Sequence, residues 1–182
     1  MRWLECDSQP GFADLLEWNG VSSVQAVPFV TILTYTRFLS PDGRCYSFDE
    51  RANGYARGEG VGCIFLKRLD DALADGDTIR AIVRNSGSNQ DGRTPGISFP
   101  SKIAQEMLTK GVYTRAGLDP LETSYVEAHG TGTQAGDPIE TSAISAAIAI
   151  DRPIDKPLII GSVKANIGHL CVYSGLLTYT LR

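Results

Sequence analysis

The sequence predicts an α/β fold built in layers, and three observations carry that reading. Ser124–Ala128 and Leu158–Ser162 have strand character, and each leads directly into a glycine-dense loop with one histidine. Between them, Asp137-Pro138-Ile139-Glu140 opens a stretch to Ile150 that is apolar nearly all round, as a buried helix is. Strand, loop, helix, strand, loop is the order of an α/β layer. Parallel pairing of the two strands would bring both loops to one sheet edge, where ligand crevices of open α/β sheets form.

The other elements follow in order. Asn19-Gly20 reads as a turn, and the Val-, Thr- and Ile-rich stretch 21–39 as strand or buried segment. Ser40-Pro41-Asp42-Gly43 has turn chemistry: proline fixes φ and glycine tolerates positive φ. The glycine-rich run Cys45–Gly60 reads as an ordered loop. Val61–Leu69 reads as a buried strand with Val61, Cys63, Phe65 and Leu69 on one face. A short helix over 70–77 is closed by Gly76, and Ile79–Asn85 is expected to return as an antiparallel strand. Ser86–Phe99 is a polar loop. Pro100 opens a helix to about Ala116, with Ile103, Met107, Leu108 and Val112 at helical spacing. A last helix is expected from about Leu170.

Bulk properties exclude several functions. A chain of 182 residues has enough length for one real core. A net charge of −4 without a basic block argues against nucleic acid, which needs a positive footprint. No apolar run reaches the roughly 20 residues of a membrane span, and the start lacks the apolar segment of a secretory signal. The four cysteines (Cys6, Cys45, Cys63, Cys171) have no disulfide or zinc spacing, so the expectation is a reducing, cytoplasmic setting and no metal. Gly58-Glu59-Gly60 does not make a dinucleotide fingerprint, because these glycines precede a strand instead of following one.

The chemistry centres on the only two histidines, His129 in Glu127-Ala128-His129-Gly130-Thr131-Gly132-Thr133 and His169 in Lys164-Ala165-Asn166-Ile167-Gly168-His169. Two neutral imidazoles facing one cleft can donate hydrogen bonds to a single carbonyl oxygen and stabilise an enolate as it forms. Lys164 can hold His169 or keep it neutral through like-charge repulsion. Thr131 and Thr133 offer hydroxyls to a ligand with amide groups. Asp137 and Glu140 can carry a proton or order a water, but a capping box, with Asp137 as N-cap and Glu140 reaching back, accounts for both.

Five stretches together resemble the β-ketoacyl synthase (ketosynthase) domain of type I polyketide synthases, within the thiolase-like enzymes. They are Leu39–Asp49, Ala52–Gly62, Asn85–Gly92, Glu127–Thr133 with Asp137–Glu140, and Lys164–Leu170. The resemblance implies an incomplete thiolase-like, α-β-α layered fold. Residues 1–36 match the family poorly, 37–60 would end its N-terminal half, and 61–182 would be a truncated C-terminal half. It also implies decarboxylative Claisen condensation of acyl and malonyl thioesters on acyl carrier protein. His129, His169 and Lys164 would be the catalytic set, Asp137, Glu140 and Asn166 its support, and Thr131 and Thr133 the contacts to the phosphopantetheine arm. No cofactor would be bound directly, and the family is homodimeric. The family's nucleophilic cysteine motif has no match here. Cys6, between Glu5 and Asp7, is a poor candidate because flanking carboxylates disfavour the thiolate. Tyr173 departs from the small residues that the family carries after its second histidine. On these grounds the chain by itself is expected to form no acyl-enzyme, and the alternatives are a non-catalytic interaction fragment or a thiolase-type acyltransferase.

Overall fold

A computed structural model describes residues 16–22, 38–96 and 99–170. Cys6, Cys171, Tyr173, most of the stretch 21–39 and the helix expected from Leu170 lie outside them. The elements are β1 (Leu16–Ser22), β2 (Gly60–Leu66), α1 (Leu69–Ala74), α2 (Lys102–Ala116), a 3-10 turn (Pro120–Glu122), β3 (Tyr125–Glu127), α3 (Gly136–Ile148), β4 (Ile159–Gly161) and the single-turn α4 (Lys164–Ile167).

β3 and β4 pair in parallel, Tyr125 opposite Ile159 and Glu127 opposite Gly161. The Ala128 N–H donates to the Gly161 carbonyl at 2.8 Å, so the pairing continues to the threshold of the first histidine loop. Parallel neighbours need a crossover, and α3 is that crossover. The core lies between it and α2. Tyr113 of α2 packs with Ala147 and Ile148 of α3, and Leu118, Val126, Ile144 and Leu158 close around them. The buried Tyr113 hydroxyl shares a 2.8 Å hydrogen bond with Thr123 Oγ1, which removes the cost of burying an unpartnered phenol.

Several expectations are corrected. Asn19-Gly20 is not a turn; it lies inside β1, which pairs antiparallel with β2 from Leu16–Leu66 to Ser22–Gly60. Ile79–Asn85 forms no strand. From Asn85 the chain is tied to α2 by side chains: Asn85 Nδ2 donates to the Val112 carbonyl at 3.0 Å and Asn89 Nδ2 to the Ala104 carbonyl at 2.7 Å. Those amides take the place of a strand ladder. Of the face expected to be buried on 61–69, Phe65 is 64% and Leu69 41% exposed. On α2, Ile103 and Met107 are exposed, and Tyr113 is the buried residue. Helical spacing marks several candidate stripes, and the position of α3 selects among them.

Candidate active site

The first histidine loop is built around carboxylates. The Asp137 carboxylate, 4% exposed, accepts the backbone N–H groups of Gly132 (3.1 Å), Thr133 (3.1 Å) and, from far away in sequence, Phe48 (2.9 Å). Glu140 accepts two more, from His129 at 2.6 Å and Gly130 at 2.9 Å, one on each oxygen. The capping-box expectation is therefore corrected. Asp137 and Glu140 lie within α3 and fold the preceding loop; Ala135 is the N-cap, and Thr133 Oγ1 accepts the Gly136 N–H at 3.2 Å. Five N–H groups converge on two carboxylates here, because a tight loop exposes successive N–H groups that need partners.

The loop closes on residues 45–58. Ser47 Oγ donates to the Gly130 carbonyl at 2.5 Å, and the Gly54 N–H donates to the Gly132 carbonyl at 3.0 Å. Gly130 and Gly132 both have positive φ, +43° and +80°. A Cβ on Gly132 would stand 2.6 Å from the Tyr46 nitrogen, and one on Gly130 would meet Ser162 Cβ at 2.6 Å and the Phe48 ring at 3.0 Å. Phe48 itself holds φ +58°, uncommon for a bulky residue.

The same segment reaches the second histidine loop. The His169 N–H donates to the Ala56 carbonyl at 2.7 Å, and the Gly58 N–H donates back to the His169 carbonyl at 3.2 Å. Residues 54–58 thus form a strap between the two loops. The sequence marks them as an ordered loop and as part of the stretch Ala52–Gly62 that carries the family resemblance, but not as a bridge between the histidine loops.

The two rings meet. His129 and His169 lie with ring centroids 5.5 Å apart, nearly perpendicular at 89°, and Tyr55 packs edge-on to His169 at 5.0 Å. Water reaches the His129 ring, yet protein surrounds it closely enough that desolvation, then the Lys164 charge, bring its pKa down to about 4 against the opposing pull of Asp137. His169 is also lowered to about 4, by burial first, then by His129, Lys164 and Arg57. Lys164 is 2% exposed. Burial pushes its pKa down, against the pull of Glu127, Glu140 and Cys45. Glu140 is raised by burial, less its two backbone bonds.

The remaining site residues are placed as follows. Asn166 is exposed and lines a cavity of about 360 Å³ with Lys164, Cys45, Ala56 and Gly168. Thr131 is 6% exposed. Thr133 uses one hydroxyl lone pair on Gly136, leaving its proton and a second lone pair for a ligand. The Cys45 thiol is buried and free; it accepts the Ala56 N–H at 3.1 Å, and burial raises its pKa. Among the described residues no group of three or more His, Cys, Asp or Glu is arranged to hold a metal ion, and no helix is long and apolar enough to cross a membrane.

Two neutral rings in one place give a pH signature. Each imidazole has a folded pKa near 4, below the ordinary 6.5. The fold therefore disfavours the imidazolium, and the stability that each neutral ring contributes is present above pH 6.5 and lost as pH falls through about 4. NMR titration of the ring protons is expected to give two coupled midpoints well below 6.5. Lys164→Met should move both upward, and midpoints near 6.5 in the unsubstituted chain would contradict the arrangement.

The chain matches the family model for the β-ketoacyl synthase C-terminal domain over residues 80–181 and that for the N-terminal domain over 20–72. It is 60% identical over 157 residues to a highly reducing polyketide synthase of Talaromyces stipitatus, covering 86% of this chain and 6% of that protein. It is 59% identical over 157 residues to a reducing polyketide synthase of Cochliobolus heterostrophus, with the same coverage. Among solved structures, the ketosynthase from module 6 of the Bacillus subtilis bacillaene synthase superposes with a TM-score of 0.82 at 44% identity, over 89% of this chain and 29% of that one. An oxazolomycin ketosynthase domain from Streptomyces albus gives a TM-score of 0.81 at 39% identity, over 90% and 29%. The chain thus spans about 6% of the length of these curated relatives, and its α/β fold is a partial thiolase-like one. It belongs to the β-ketoacyl synthase family.

Proposed function

We propose that this chain carries the enolate-stabilising part of a condensing site that acts on malonyl thioesters. The observation that carries the proposal is the pair of low-pKa imidazoles 5.5 Å apart at the ends of two parallel strands. In this reading both rings stay neutral at physiological pH and donate N–H to the thioester oxygen. Decarboxylation breaks the bond to the departing carboxylate, the electron pair enters the enolate, and negative charge gathers on the oxygen that the rings hold. Burial, reinforced by the Lys164 charge, keeps both rings neutral. Asp137 and Glu140 hold the His129 loop, and Asn166 borders the cavity beside Lys164. Thr131 and Thr133 line the approach for a phosphopantetheine arm presented by acyl carrier protein. Cys45, buried with a raised pKa, is no nucleophile, so acyl-enzyme formation is assigned to no described residue. The full condensation, the homodimer and the carrier partner belong to the same proposal.

Release of carbon dioxide from a malonyl thioester of N-acetylcysteamine tests it. The chain is expected to release it, and His129→Ala or His169→Ala each to lower the rate by on the order of 100-fold. Addition of the thioester without release, or release indifferent to both substitutions, overturns the proposal. A second reading, an interaction fragment, is favoured by the exposed Phe65, Ile82 and Val83. Circular dichroism and size exclusion distinguish the two: a monodisperse, cooperatively unfolding chain supports a catalytic unit, and soluble aggregate supports the fragment.

A further inference from the structure

Glu127 takes part in neither histidine loop, yet it sits where both begin. It ends β3, opposite Gly161 at the end of β4. Its two oxygens point to different tasks. Oε1 accepts the Val163 N–H at 2.8 Å, and Oε2 accepts the Tyr125 hydroxyl at 2.5 Å. Val163 precedes the turn that carries Lys164 and has no side-chain oxygen with which to cap it. Room for the tyrosine depends on Gly161, because a Cβ there would come within 2.9 Å of the Tyr125 hydroxyl. Of the charges acting on Lys164, that of Glu127 draws its pKa up most.

We propose that Glu127 is a positioning residue: held by the Tyr125 hydroxyl, its carboxylate ties the start of the Lys164 turn to the strand that delivers His129, and so sets where the ammonium stands relative to both imidazoles. The inference rests on the condensing-site reading for its catalytic consequence but not for its geometry. The hydrogen bond fixes position, and a neutral amide can keep it. The negative charge also draws the Lys164 pKa up, but Glu140 does the same and remains when Glu127 is replaced, so the amide variant separates position from charge. The titratable groups acting here are Glu127, Glu140 and Cys45 on Lys164, Lys164 and Asp137 on His129, and His129, Lys164 and Arg57 on His169.

Three variants of the full chain test the inference: Glu127→Gln, Glu127→Ala and Tyr125→Phe, each followed by NMR titration of both imidazoles and by decarboxylation of the malonyl thioester. In Glu127→Ala the Lys164 turn loosens, both imidazole midpoints rise toward 6.5, and kcat falls about tenfold with little change in KM. Glu127→Gln keeps an acceptor for Val163, so the midpoints stay low and kcat returns to within about threefold. Tyr125→Phe moves both readouts in the direction of the alanine variant, by less. Unmoved midpoints in Glu127→Ala overturn the inference. So does a glutamine variant as impaired as the alanine one, and if alanine prevents folding the tyrosine variant decides. A chain that releases no carbon dioxide but shows the expected titrations refutes the condensing reading and leaves the positioning role standing.

Discussion

Asp137→Ala is expected to remove most of the stability of the histidine-bearing half of the molecule. Three backbone N–H groups, from Phe48, Gly132 and Thr133, converge on that one buried carboxylate. Alanine leaves all three without a partner, at about 1–3 kcal/mol each when buried. A loss of about 4 kcal/mol or more is a large fraction of the roughly 5–15 kcal/mol that holds a domain together. Urea denaturation should show a much lower midpoint or no cooperative transition. Asp137→Asn retains one acceptor oxygen and should fall between the two. The Phe48 contact makes the effect long-range, so the strap at 54–58 should loosen as well, with faster amide exchange at Gly54 and Gly58. An alanine variant as stable as the parent would show that the loop needs no carboxylate.

Gly132→Ala should cost about 3 kcal/mol, from two separate sources. The left-handed backbone at φ +80° penalises any Cβ by about 1–2 kcal/mol. The rest is collision with a backbone atom, the Tyr46 nitrogen 2.6 Å away, which cannot swing aside as a side chain would. Gly43→Ala is the control. Its φ is +63° but nothing lies within 4 Å, so only the backbone cost remains. Urea midpoints of the two variants should differ by the steric part, and equal midpoints would mean that the strap is not packed against the loop. Separation of Gly132 from Tyr46 should also release the Gly54 N–H from the Gly132 carbonyl.

How far the sequence could be read depended on the range of the interaction. Strands 125–127 and 159–161, the helix between them and the helix 102–116 were legible because each has a local pattern. The Gly43 turn was legible too, and its Gly43 N–H does bond back to the Ser40 carbonyl at 3.2 Å. That both histidines share one sheet edge was legible only on the condition of parallel pairing, which β3 and β4 meet. The capping box at Asp137 and Glu140 is not formed because the same spacing lets two carboxylates reach backward, and one partner of Asp137, Phe48, is 89 residues away. Ile79–Asn85 has strand composition but no strand partner among the described residues, and pairing is a property of two segments. The strap was missed for a similar reason: its carbonyls and N–H groups do the binding, and backbone chemistry leaves little mark on residue choice beyond glycine.

Phe48 gives one consequence for heating. A bulky residue held at φ +58° is wound against its own preference by roughly 1–3 kcal/mol, and its bond to Asp137 and its ring against Gly130 help to keep it there. It behaves as a sprung catch. As temperature rises, this catch should let go before the paired strands part, so the rings should lose their mutual alignment while most of the secondary structure is still intact.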